Sequence, residues 1–146
     1  MHPFPHHYSV SANAGPEGDV VLDTAGVVAL ASQAPVEFGG PGGRWSPESL
    51  LVAAVADCFT LGFRAIARAS QLRWNTLRCT VSGTLERVDG VTRFTAFDIQ
   101  AHLQVGADVD QAKARRLLDK AETSCLITNS LSAQVHLSAE VEAVAA

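Results

Sequence analysis

The stretch Ser46-Pro47-Glu48-Ser49-Leu50-Leu51-Val52-Ala53-Ala54-Val55-Ala56-Asp57-Cys58-Phe59, continuing to Gln71, decides how this chain folds. Ser46 is a good helix cap, because its hydroxyl can accept a backbone N–H of the first turn. Pro47 suits the first helical position, where its missing N–H costs nothing, and Glu48 favours the positive end of the helix. A helix is therefore expected from Pro47 to about Gln71. Leu50, Leu51, Ala54, Val55, Cys58, Leu61, Phe63 and Ile66 make it apolar nearly all the way round. Its one polar stripe is Asp57, Arg64, Arg68 and Gln71, and Asp57 is expected to pair with Arg64. A helix of this kind belongs in the middle of a fold. Covering every side of it takes more than a chain of this size supplies, so a second subunit is expected around it. The charged interruptions argue against a transmembrane span.

Upstream, Phe38-Gly39-Gly40-Pro41-Gly42-Gly43 fits no regular element and reads as a loop. Before it lie short extended pieces, Tyr8 to Ala14, Val20 to Leu22 and Val27 to Ala31, separated by turn clusters. Downstream, Leu77, Cys79, Val81 and Leu85 alternate with polar residues, as do Phe97, Ile99, Ala101, Leu103 and Val105. Asp89-Gly90 between the two runs is a strong hairpin signal. A second helix is expected from Asp110 to about Glu122, a short helical turn within Ser124 to Leu131, and a last strand over Gln134 to Glu142. The sum is an α+β fold: mostly antiparallel strands wrapped on one long buried central helix, in a single domain spanning residues 1–146.

Composition sets the outer bounds. The 146 residues are 47% hydrophobic and 18% charged, which excludes a disordered chain. The net charge is −4, and no basic block interleaved with aromatics occurs, so nucleic acid and anionic membranes are disfavoured partners. Met1-His2-Pro3-Phe4-Pro5-His6-His7-Tyr8 lacks the cationic and apolar regions of a signal peptide. The chain reads as cytoplasmic, where thiols stay reduced unless they take part in chemistry. His2, His6 and His7 form a terminal cluster that no further ligand pattern joins, so neither a metal nor another cofactor is expected. His102 and His136 fall at polar strand positions. Lys113, Arg115, Arg116 and Lys120 form a basic patch, read as a solvated face, with docking of an acidic reductant as the alternative. A hydrolase has no support, since no nucleophile elbow or paired carboxylates occur.

Three cysteines remain. Cys79 shares inward strand parity with Leu77 and Val81 and reads as a small core residue. Cys58 sits mid-helix, where apolar surroundings raise a thiol pKa. Cys125 opens a short helical turn whose backbone N–H groups could stabilise a thiolate. Spacing alone leaves open whether Cys58 and Cys125 meet.

The run from Phe38 to Phe59, with its Gly-rich loop, Ser-Pro-Glu helix start and Ala-rich helix ending in Cys-Phe, resembles the first cysteine motif of the OsmC/Ohr family. Ala121-Glu122-Thr123-Ser124-Cys125-Leu126-Ile127 resembles its second. The resemblance extends to the order of elements over nearly the whole chain. It implies a thiol-dependent peroxidase that reduces organic hydroperoxides, built as an intertwined homodimer with sites at the interface and regenerated by a dithiol reductant, lipoyl-type or other. By position, Cys58 is then the attacking thiol, Cys125 the resolving thiol, and Glu48 the assisting glutamate. The hydroperoxide-reducing branch also carries an arginine in the N-terminal loop, whereas Ala12 to Asp19 holds none. Arg44 either substitutes for it from the Gly-rich loop or is a solvated loop residue.

The chemistry agrees with these residues: a sulfenic acid formed at Cys58 is captured by a second thiol as a disulfide, and an apolar pocket favours alkyl over hydrogen peroxide. Glu48 and Cys58 are ten residues apart, about 15 Å along one helix. If Glu48 serves Cys58, it comes from the other subunit. The missing loop arginine supports an alternative, an OsmC-like dimer that binds a small apolar ligand or senses redox state with little turnover.

Overall fold

The structure, a computed structural model, describes residues 1–145. Its chain divides into two compact units, Met1–Leu50 and Leu51–Ala146.

The first unit is a three-stranded antiparallel meander of β1 (Ser11–Asn13), β2 (Val20–Asp23) and β3 (Leu30–Ser32). A single 3₁₀ turn, Val36–Phe38, leads into the Gly-rich loop. Gly40 is obligatory there: a Cβ would lie 1.7 Å from the carbonyl oxygen of Ala34. The long helix α1 (Pro47–Ala69) starts where expected. Ser46 Oγ accepts the Ser49 N–H at 3.1 Å, and Ser49 Oγ in return accepts the Ser46 N–H at 2.9 Å. This is a reciprocal cap with serine in the place usually held by glutamate.

α1 stops at Ala69, short of Gln71. The Leu72 N–H reaches back to the Ala67 carbonyl and the Gln71 N–H to that of Arg68, while Gln71 adopts φ 55°. This is the left-handed Schellman ending, for which glycine is the usual residue.

The second unit holds β4 (Thr76–Val88), β5 (Val91–Gly106), α2 (Gln111–Thr123), α3 (Leu126–Asn129) and β6 (Gln134–Val144), with sheet order β4-β5-β6. Asp89 and Gly90 have φ of 51° and 77° and close the β4–β5 hairpin in two residues, as the Asp-Gly signal requires. The expectation of antiparallel pairing holds there but fails at β6, which pairs with β5 in parallel. The chain returns through α2 and α3 to the end of the sheet where β5 began, so β6 must run alongside it.

One apolar cluster joins Val55, Phe59, Phe63 and Ala67 of α1 to the alternate residues Phe97, Ile99, Ala101, Leu103 and Val105 of β5 and to Ala114, Leu118 and Ala121 of α2. Only this stripe of α1, every fourth residue, is fully buried. The remainder is partly covered or open, and Leu61 keeps 50% of its surface exposed. Within one chain the central helix is thus buried along one side. By length and apolarity α1 also meets the criterion for a membrane span, which the polar interruptions were expected to prevent. Its stripe nevertheless packs on β5.

On the polar face of the sheet, His102 sits between two carboxylates of β6, with Nε2 2.8 Å from Glu142 and Nδ1 3.4 Å from Glu140. The bond to Glu142 raises the His102 pKa, and its own bonds to His102 and Gln104 lower that of Glu142. The raised histidine contributes stability that is full below its unfolded value of about 6.5 and lost as pH rises through the folded one. The lowered carboxylate contributes stability above about pH 4.3 that is lost as pH falls. His102→Gln is therefore expected to flatten the decline of the urea-unfolding midpoint above about pH 6.5. An unchanged pH profile would contradict the pairing.

Candidate functional site

Cys58 lies halfway along α1, one position before the buried Phe59 and therefore turned to the side of the core stripe. Cys125 is the cap residue of α3 and is buried. Although 67 residues apart, the two free thiols line one cleft and are near enough for Cys125 to raise the Cys58 pKa.

The first N–H groups of any helix lack partners within it. Those of Leu126 and Ile127 stand close enough to Cys58 to lower its pKa, and Cys125 makes no side-chain cap bond. The backbone N–H groups at the start of α3, expected to favour a thiolate at Cys125, act on Cys58 across the cleft. Burial raises the Cys58 pKa, the neighbouring Cys125 thiol adds to the rise, and the two N–H groups oppose it, with a net upward shift. An open cleft of about 490 Å³ borders both sulfurs, with Ala54, Leu61, Leu126 and Ile127 as its apolar wall. The arrangement can hold an apolar molecule against Cys58 and allow that sulfur to bond to a second one.

Cys79 is half-buried against the core, as its strand parity implies. Burial raises its pKa, and the Thr60 hydroxyl beside it pulls the other way.

The remaining two residues singled out from sequence, Glu48 and Arg44, belong to the first unit. Glu48 stands in the first turn of α1 and borders an apolar cleft of about 480 Å³ with Val20, Leu22, Pro35, Phe38 and Leu50. Its Oε2 is buried and has no hydrogen-bond partner among the described residues. α1 is unbroken, so the ten residues from Glu48 to Cys58 rise about 15 Å along its axis. Arg44 is engaged elsewhere: its Nε bonds Asp19 Oδ2 at 3.2 Å, and Asp19 also accepts from Gln33 at 3.0 Å. Those two bonds, that from Gln33 foremost, hold the Asp19 carboxyl below its ordinary range. Arg44 is an exposed loop residue whose guanidinium is held by the Asp19 carboxylate.

Asp57 departs from expectation. It forms no ion pair with Arg64 among the described residues and lines the Cys58 cleft instead. Side chains on a helix meet at separations of three or four, and seven residues place Arg64 about 10 Å further along the axis. Successive residues of a helix point about 100° apart, yet the cleft is wide enough to be lined by both Asp57 and Cys58. On α2, Arg115, Arg116 and Lys120 are exposed, while Lys113 Nζ donates to the Ser70 carbonyl at 2.8 Å. No three His, Cys, Asp or Glu side chains among the described residues are grouped to hold a metal.

The family model for OsmC-like protein matches residues 40–140. The uncharacterized protein YmaD of Bacillus subtilis is 28% identical over 139 residues, covering 92% of this chain and 93% of its own. Among solved structures, an OsmC-like protein of unknown function from Vibrio cholerae superposes with TM-score 0.83 at 16% identity, over 93% of this chain and 100% of its own. An organic hydroperoxide resistance protein OsmC from Legionella pneumophila, described as a predicted redox protein and regulator of sulfide bond formation, reaches TM-score 0.74 at 26% identity, over 97% of this chain and 100% of its own. With the same α+β architecture and a family match over most of its length, this chain belongs to the OsmC-like protein family.

Proposed function

We propose that this protein is a thiol peroxidase for organic hydroperoxides, with Cys58 as nucleophile and Cys125 as resolving thiol. The observation that carries the reading is the placing of the two free thiols on one apolar cleft, with the backbone of Leu126 and Ile127 lowering the Cys58 pKa against its burial. In the first step the Cys58 thiolate attacks the hydroperoxide and the O–O bond breaks. One oxygen stays on sulfur as sulfenic acid, and the alkoxide leaves with a proton as alcohol. Cys125 then attacks the sulfenic sulfur, forming a disulfide and releasing water. An external dithiol restores both thiols by exchange.

A second copy of the chain completes the site in this reading. Nothing apolar in Met1–Leu50 is fully buried, and Phe4 and Tyr8 keep 87% and 89% of their surface. A three-stranded sheet with no buried face of its own needs cover, as do the open sides of α1. An acceptor buried without a donor costs about 1–3 kcal/mol, so Glu48 needs a donor that a facing subunit can bring. The Cys58 thiol of the second copy is the donor we assign.

The raised Cys58 pKa and the engagement of Arg44 by Asp19 favour a second reading, redox sensing or apolar-ligand binding with little turnover. Hydroperoxide consumption with a lipoyl-type dithiol separates the two. Sustained turnover well above that of the dithiol alone is expected for the peroxidase. A single stoichiometric burst would instead identify a sensor, and no consumption a binding protein.

A further inference from the structure

The inference concerns the substrate class of the Cys58 cleft and rests on that cleft being the reactive site. Among the described residues lining it, Asp57 is the one that carries a charge, and none is basic. Asp57 is exposed and has neither an ion pair nor a hydrogen bond to neutralise its carboxylate among the described residues. It adjoins the reactive cysteine in sequence and rims the same opening as Leu61 and Leu126, which keep 50% and 66% of their surface exposed. Along the lining that this chain supplies, a molecule approaching Cys58 thus meets apolar wall and, at the rim, the unpaired carboxylate of Asp57.

We propose that Asp57 is a charge filter: the cleft selects uncharged alkyl or aryl hydroperoxides and disfavours those that carry a carboxylate near the peroxide. The attack on the O–O bond is the same for both classes; what differs is the encounter. Two unit charges about 7 Å apart across a partly wet cleft correspond to about a 3- to 10-fold difference in rate, reduced by salt.

The test compares cumene hydroperoxide with its ring-carboxylated analogue in the wild type, Asp57→Asn and Asp57→Glu. The ratio of anionic to neutral rate constants is expected to rise about 3- to 10-fold in Asp57→Asn and to stay low in Asp57→Glu. Added salt should raise it in the wild type and raise it less in Asp57→Asn, where the Cys58 thiolate remains but the rim carboxylate is gone. In a Cys79→Ser/Cys125→Ser background, where Cys58 is the sole thiol, the ratio of iodoacetate to iodoacetamide alkylation should shift in the same way. Those alkylations need no peroxidase activity. If they shift while neither hydroperoxide is consumed, the filter stands and the peroxidase reading falls. If cumene hydroperoxide is consumed and neither ratio responds to Asp57→Asn, the filter is overturned and the peroxidase reading stands.

Discussion

Replacing Cys58 with serine is expected to bring hydroperoxide consumption to the uncatalysed level, a loss of at least about 10³-fold, as when an attacking nucleophile is removed. Cys125→Ser should behave differently. Its Cys58 can still attack, so the first turnover proceeds, but the sulfenic acid then has no adjacent thiol to condense with and advances to the irreversible sulfinic state. The pair is therefore told apart by progress curves. The wild type turns over steadily with a dithiol, Cys125→Ser consumes about two equivalents, one to the sulfenic and one to the sulfinic acid, and stops, and Cys58→Ser consumes none. Cys79→Ser should keep turning over, because that residue packs on the core rather than lining the cleft. Equal progress curves for the wild type and Cys58→Ser would remove the assignment altogether.

The second large effect follows from the length of α1. Glu48→Gln keeps the size of the side chain and removes its charge, and a loss of about 10²-fold is expected from a group that handles a proton at the site. Cys58→Ser and Glu48→Gln are then each inactive, but they fail in different halves of a shared site. If Glu48 acts on the Cys58 of a second copy, a mixed dimer contains one site with both native residues and one with neither. Chains refolded together in equal amounts should recover about a quarter of wild-type activity under two-fold symmetry. Chains mixed without exchange should recover nothing. A refolded mixture no more active than its separate components would mean that the two residues do not serve one site across subunits.

Local signals made much of this fold legible. Ser46 and Pro47 marked the start of α1 because capping and a missing N–H act within one turn. Asp89-Gly90 marked the hairpin because both residues tolerate the positive φ it requires. The end of α1 was missed by a few residues, since its left-handed position is held by Gln71 rather than glycine. The direction of β6 was illegible for a different reason: alternation of inward and outward residues is the same whichever way a strand runs. The site shows the same division. Residue types and the family resemblance singled out Cys58 and Cys125, but spacing could not bring them together, and the influence of the Leu126 and Ile127 backbone on Cys58 depends on how α3 meets α1. Asp57 was read as a partner for Arg64 from helical spacing, which says nothing of the width of a cleft built from two elements.

The most direct measurement is a count of free thiols, assigned residue by residue, before and after one equivalent of an alkyl hydroperoxide. Loss of two thiols per chain, Cys58 and Cys125, with Cys79 still free and both recovered by a dithiol, is the result expected of a nucleophile beside its resolving partner. Retention of all three thiols, or a disulfide that involves Cys79 and leaves Cys125 free, would contradict it.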